Sequence, residues 1–89
     1  MVPRINYQEL NFQRFIDVPR CDCQIGTARD NQNRVHIFLI VNHTGPVYRR
    51  NGLKDNYEQL EGLDSELIRD LVKRSQAPRY TTRNQPVLN

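Results

Sequence analysis

The sequence predicts a small α+β domain, in which a three-stranded antiparallel meander packs against a C-terminal helix and an extended basic tail follows. Three observations predict it: a nearly unbroken apolar run at residues 35–41, alternating residues at 20–27, and apolar residues at helical spacing between 63 and 72. Because 89 residues suffice for one modest core, we assign residues 1–76 to a single domain and residues 77–89 to the tail.

The N-terminal segment, residues 5–18, follows neither the helical nor the strand period. On a helical wheel Tyr7 and Leu10 point away from Phe12, and strand alternation breaks at the adjacent pair Phe15 and Ile16. The sequence therefore leaves the secondary structure of this segment open.

The following segment predicts an antiparallel hairpin. Cys21, Cys23, Ile25 and Thr27 alternate with polar residues or glycine, which is typical of a half-buried strand. Residues 29–33 form the predicted polar turn, and the returning strand over residues 34–42 is expected to be buried on both faces. One face of the hairpin then pairs Thr27 with Val35, Ile25 with Ile37, Cys23 with Leu39 and Cys21 with Val41.

A third strand is predicted over residues 47–50, after the turn at residues 43–46. Its two arginines, Arg49 and Arg50, indicate an edge strand. Beyond it, we expect a short helical turn within residues 53–61, which Gly62 would end.

The helix is predicted over residues 65–75. Asp64 is its expected N-cap, Lys73 and Arg74 are basic residues in the last turn, and Pro78 follows the end. Its apolar residues are expected to form one stripe lying across the sheet: Leu63, Leu67, Ile68, Leu71 and Val72.

Metal, redox and catalytic chemistry find little support in the sequence. Cys21 and Cys23 are too close to close a useful disulfide loop, so we expect them to act as small buried hydrophobic residues. With His36 and His43 they match the number of ligands of a zinc site, but the predicted register places His36 on the opposite side of the sheet from both cysteines. We therefore expect no metal and no cofactor.

The sequence also shows no set of residues that would converge on a catalytic site. The chain has four isolated glycines and no glycine-rich phosphate loop. Six acidic residues between 51 and 70 are interpreted as a solvated helix face rather than as a paired carboxylate site. We expect a protein that is not an enzyme and has no catalytic residues.

Charge is unevenly distributed along the chain. Residues 1–50 hold seven arginines and four acidic residues, residues 51–70 hold two basic and six acidic residues, and residues 71–89 hold four basic residues and no acidic ones. Arginine outnumbers lysine eleven to two, which favours bidentate and stacking contacts over simple solubility. Basic and aromatic side chains interleave at residues 48–50 and 79–83, a pattern used by both nucleic-acid surfaces and protein hot spots.

These observations predict a non-enzymatic protein that docks on a larger protein partner or assembly through the edge strand and the tail. The alternative is nucleic-acid binding through the same arginines. The small stand-alone format also fits a viral accessory or assembly subunit. The predicted contact residues are Tyr48, Arg49, Arg50, Arg79, Tyr80, Arg83, Val87 and Leu88.

The remaining expectations concern location and self-association. No apolar run reaches the length of about 20 residues that a membrane span needs, and the N-terminus lacks the apolar core of a signal peptide. We therefore expect a soluble, cytoplasmic protein without a membrane partner. Pairing of the exposed sheet edge with a second copy of the chain is a further alternative that the sequence leaves open.

Overall fold

The computed structural model describes residues 7–42, 45–52 and 56–82, which form an α+β domain with one six-stranded sheet. The strand order is β5-β4-β3-β2-β1-β6, and every neighbouring pair is antiparallel except the parallel pair of β1 and β6. The strands are β1 Asn11–Val18, β2 Cys23–Arg29, β3 Val35–Val41, β4 Val47–Asn51, β5 Glu58–Leu60 and β6 Arg79–Thr81. The α-helix is α1 Gly62–Arg74, and two 3-10 turns span Tyr7–Glu9 and Pro19–Cys21.

The predicted meander is only part of the sheet. β2, β3 and β4 are consecutive antiparallel neighbours as expected, but β4 is not an edge strand because β5 pairs with its outer side. On the other flank, residues 79–81 of the predicted tail form β6, anchored where the Phe15 N–H donates to the Pro78 carbonyl at 2.9 Å. The short helical turn expected within residues 53–61 is also wrong where it is described, since residues 58–60 are a strand.

A β-bulge explains why the N-terminal segment fits no simple period. Phe12 lies opposite Ala28 and Arg14 opposite Thr27, so Gln13 is an extra residue in β1. The bulge brings Phe12 and Phe15, three positions apart, to the same side of the sheet. There their rings stack with centroids 4.9 Å apart.

The hairpin of β2 and β3 has the predicted strands but a different register. Its turn comprises residues 30–34, where the Asp30 carboxylate accepts the backbone N–H groups of Gln32 and Arg34 at 2.9 Å each. The pairing therefore shifts by two residues from the predicted one, and Ile25 lies opposite Leu39. A shift of two keeps every side chain on its predicted face.

The helix lies on one face of this sheet, which we call the core face. Ile68 and Val72 of α1 pack there, and Ile68 is completely buried. The strand residues of the core are Phe12, Phe15, Ala28, Phe38, Ile40, Val47 and Leu60. The sequence favoured the opposite side of β2 as the buried one, and it also predicted β3 to be buried on both faces; both predictions are wrong, because the other sides of these strands are only half-buried.

Gly26 explains why the core face of β2 is the covered one. A Cβ at this position would approach ring carbons of Phe12 and Phe15 to 3.0 Å each, so glycine leaves the space that the two rings fill. This side of β2 has little apolar surface of its own, but its shape is complementary to the large rings of β1.

α1 begins three residues earlier than predicted. Glu61 is its N-cap residue without a side-chain cap, and Asp64, the predicted N-cap, lies in the first turn. Leu63 is 82% exposed and does not belong to the buried stripe. Within the described part of the chain, no helix has the length and apolarity to cross a bilayer.

Candidate binding surface

The side of the sheet opposite α1 forms a second, largely aliphatic surface, which we call the open face. The strand register places one continuous row of its side chains across all six strands. In order, that row is Gln59, Tyr48, Leu39, Ile25, Ile16 and Tyr80. The rest of the open face comprises Asn11, Arg14, Val18, Cys23, Thr27, Arg29, Val35, Ile37, Val41 and Arg50.

No described helix covers this surface. The turn at Tyr7–Glu9 lies with α1 on the core face, where the Tyr7 ring meets Phe38 edge-on at 6.3 Å between centroids. The aliphatic residues Ile16, Ile25 and Leu39 are half-buried and do not belong to the core cluster. Contiguous apolar surface of this kind on a protein is typical of an interaction site.

The strand positions of the open face carry positive charge only. Arg14, Arg29 and Arg50 lie there, and none of the strand residues on this face is acidic. Arg14 and Arg50 occupy the same row, at the two ends of the line that runs through Thr27 and Ile37. The two arginines thus flank the two central strands, β2 and β3.

Arg50 is held in place by an aromatic ring. Its guanidinium carbon lies 4.8 Å from the ring centroid of Tyr57, a cation–π geometry. Its Nε is buried and has no hydrogen-bond partner among the described residues. The side chain is therefore ordered at the margin of the open face while part of its donor capacity is unused.

Arg49, the adjacent predicted contact residue, points the other way. It is buried at 8% exposure on the core face, where its Nη1 donates to His36 Nδ1 at 3.1 Å and its Nη2 to Glu58 Oε1 at 2.6 Å. Because a guanidinium only donates, His36 Nδ1 must be unprotonated, and His36 Nε2 donates to Asp30 Oδ2 at 2.9 Å. Arg49 is thus one member of a buried polar chain.

The pKa values of two acidic groups are shifted in and around this buried polar chain. Hydrogen bonds from the His36 side chain and from the Arg34 backbone hold the pKa of the Asp30 carboxyl well below its usual range. Burial raises the pKa of the Tyr7 phenol, which the Arg49 charge opposes. His36, Asp30, Glu58 and the two terminal nitrogens of Arg49 all have partners in this polar chain, and only the buried Arg49 Nε lacks one among the described residues, which favours a structural role over a catalytic one.

Arg79 and Tyr80 belong to the predicted tail and lie on opposite sides of β6. The Arg79 guanidinium carbon lies 4.5 Å from the Phe15 ring centroid, and its Nη2 donates to the Val72 carbonyl in the last turns of α1 at 2.7 Å. Arg79 therefore joins the helix end to the sheet edge. Tyr80 is 55% exposed and lies at the margin of the open face.

The two cysteines are joined by a disulfide, contrary to the prediction of two small buried hydrophobic residues. Cys21 is exposed, and Cys23 is half-buried at the start of β2 on the open face. The prediction failed because the chain turns sharply between them, with Asp22 in the left-handed region at φ 52°. The expectation that Cys21 also pairs with Val41 is wrong, since Cys23 takes that place.

A groove lies elsewhere, between α1 and the core face. It has a volume of about 350 Å³ and is lined by Gln24, Ile40, Glu66, Arg69, Asp70, Val72 and Lys73. Two of its charged residues have partners within the fold: Arg69 donates to the Gly45 carbonyl, and Asp70 pairs with Arg74. Within residues 7–42, 45–52 and 56–82, no group of three or more potential ligands could hold a metal ion.

Three of the predicted contact residues, Tyr48, Arg50 and Tyr80, therefore share the open face, whereas Arg49 and Arg79 serve the core side. Arg83, Val87 and Leu88 lie outside the described residues, as does His43. Sequence reasoning missed the aliphatic centre of the surface, Ile16, Ile25, Ile37 and Leu39. The apolar patterns of β2 and β3 signalled Ile25, Ile37 and Leu39 but were interpreted as core, and no pattern signalled Ile16.

Comparisons with family models, curated proteins and solved structures found no match.

Proposed function

We propose that this chain is a non-enzymatic binding protein that docks on a larger protein partner through the open face of its sheet. The observation that carries the proposal is the aliphatic centre of the open face, Leu39, Ile25 and Ile16 on the adjacent strands β3, β2 and β1, which α1 leaves uncovered. Burying an aliphatic side chain contributes about 1.5 to 3 kcal/mol when it starts fully exposed, and a share of that when it starts half-buried. Several such residues side by side supply a hydrophobic centre for an interface.

The dimensions of the sheet correspond to a small protein interface, below the standard size of about 800 Å² per partner. Six strands spaced about 4.8 Å apart give a width of about 24 Å, and seven residues of β2 or β3 extend about 23 Å. A polar or charged rim around an apolar centre is the common anatomy of protein interfaces, and Arg14, Arg29 and Arg50 occupy that rim. Tyr48 and Tyr80 are the aromatic anchors we expect to dominate affinity.

A matched pair of leucines tests the proposal. Leu39→Glu places a charge in the middle of the open face, whereas Leu63→Glu makes the same change at a position of α1 that is 82% exposed. We expect Leu39→Glu to weaken capture of the native-host partner at least tenfold and Leu63→Glu to leave it unchanged, with circular dichroism confirming that both variants fold. Equal capture by both variants would refute the proposal.

Nucleic-acid binding is the second candidate, because Tyr48 and Tyr80 lie on the same face as three arginines. A phosphate-binding surface loses affinity steeply between low and moderate salt, while a largely apolar protein contact loses much less. Capture that resists nuclease and moderate salt favours the protein partner. Capture abolished by nuclease favours nucleic acid.

The contribution of the tail is tested separately. Arg83, Val87 and Leu88 remain predicted contact residues, and a chain ending at residue 82 removes all three while keeping β6. We expect this truncation to weaken capture without changing the melting temperature. Unchanged capture would restrict the contact to the open face.

A further inference from the structure

We infer that the partner contributes an amphipathic α-helix with acidic residues along both margins, which packs along β2 and β3 of the open face. This inference rests on the proposed function and adds the chemistry of the occupant. It follows from the spacing of the arginines, from the kind of apolar surface between them and from the absence of acidic strand residues on that face.

The spacing of Arg14 and Arg50 fits the width of one helix. They lie in the same row on β1 and β4, three strand spacings apart, which corresponds to about 14 Å between backbones. A helix with its side chains is about 10–12 Å wide. A helix resting on Thr27 and Ile37 therefore has one arginine at each margin, where carboxylates on the helix can reach them.

The apolar centre favours a protein helix over a nucleic-acid strand. Ile25, Ile37 and Leu39 occupy the central strands, and the two tyrosines of the open face lie on β4 and β6, towards its two sides. Bases bind by stacking on aromatic rings, and phosphates require cations along their whole path. Aliphatic side chains between two flanking charges instead match the leucine stripe of an amphipathic helix.

Charge also disfavours a second copy of the chain as the occupant. Two open faces packed together would bring arginines from both copies into one interface, and the strand residues of that face supply no carboxylate to pair with them. An acidic partner removes this repulsion, because its carboxylates pair with the arginines of the open face.

The test uses two synthetic helical peptides of about 18 residues, about 27 Å long, that share one leucine stripe. One carries glutamate along both margins and the other carries lysine at the same positions. Binding of each labelled peptide to the full-length protein is measured by fluorescence anisotropy, with single-stranded oligothymidine as a third probe and sedimentation as the measure of self-association. We expect the glutamate peptide to bind at least tenfold more tightly than the lysine peptide.

Charge reversal of the exposed Arg14 sharpens the test without disturbing the core. Arg14→Glu should weaken the glutamate peptide about threefold, as expected for one rim charge pair, and strengthen the lysine peptide. Lys73→Glu on the exposed side of α1 is the matched control and should change neither affinity. Equal binding of the two peptides, preference for the oligonucleotide, or self-association abolished by Leu39→Glu would each overturn the inference.

The two proposals fail separately. If Leu39→Glu abolishes capture of the native partner but neither peptide binds, the open face is a docking site for something other than an acidic helix, and only this inference is wrong. If Leu39→Glu captures the partner normally, the proposed function is wrong, and this inference, which rests on it, is wrong as well.

Discussion

The core face and the open face belong to the same sheet, but α1 covers only the core face. On β2, the core side offers Gln24, Gly26 and Ala28, and the open side offers Cys23, Ile25 and Thr27. The helix nevertheless covers the core side, because the rings of Phe12 and Phe15 fill the space above Gly26. Shape complementarity across the strands, more than the apolar content of one strand side, decides which face a helix covers.

Polar residues show the same contrast. Arg49 and Arg50 are neighbours on β4, yet Arg49 joins a buried chain with His36 and Glu58, while Arg50 lies at the margin of the open face over Tyr57. One arginine fixes the fold and the other is available to a partner. The alternation of strand side chains is sufficient to separate these roles.

The largest effect that tests the comparison is expected from a pair of isoleucines. Ile68→Ala removes a completely buried side chain from the core face and should lower the free energy of unfolding by about 3 kcal/mol. Ile37→Ala on the open face should cost about 1 kcal/mol, since its side chain is already partly in water. Urea unfolding measures both, and equal costs would show that the open face is covered in the free protein.

A smaller effect is expected from the two adjacent arginines. Arg49→Ala leaves the buried His36 Nδ1 without its donor and should cost about 2 to 3 kcal/mol. Arg50→Ala removes a cation–π contact and should cost about 0.5 to 1 kcal/mol. The same unfolding measurement decides, and a larger loss for Arg50→Ala would contradict the assignment of roles.

Local patterns predicted the elements better than their assembly. The strand predicted over residues 34–42 spans Val35–Val41, and the α-helix was predicted to within three residues at its start, because periodicity and end signals are local properties. The pairing of β6 with β1 was not predictable in this way, since it joins Thr81 to Asp17 through a contact distant in sequence. The bulge at Gln13 likewise hid the strand that contains it.

The candidate surface was predicted only at its margins. Arginine next to tyrosine is a visible signal, and it identified Tyr48, Arg50 and Tyr80. The aliphatic centre was invisible as a binding surface because Ile25 and Leu39 have the pattern of core residues, and a sequence does not state which face of a sheet its helix will cover. Only the register and the position of α1 separate the two possibilities.

The last prediction concerns stability in acid, and it tests the turn at residues 30–34 between β2 and β3. The folded state lowers the pKa of Asp30, chiefly through the His36 hydrogen bond, so this carboxylate stabilises the fold at any pH above its ordinary pKa of about 4. The stabilisation is lost progressively as the pH falls below that value, because protons then bind the unfolded chain more readily than the folded one. We expect Asp30→Asn to be less stable than the original protein at pH 7, and the difference to shrink in urea titrations as the pH falls from about 4 towards 2.

Asp70→Asn, which alters an exposed pair on α1, is the matched control and should leave the acid dependence nearly unchanged. A difference for Asp30→Asn that stays constant from neutral pH to pH 2 would mean that the carboxylate charge contributes nothing to the turn, and that the Asp30, His36 and Arg49 contacts stabilise the core face by packing alone.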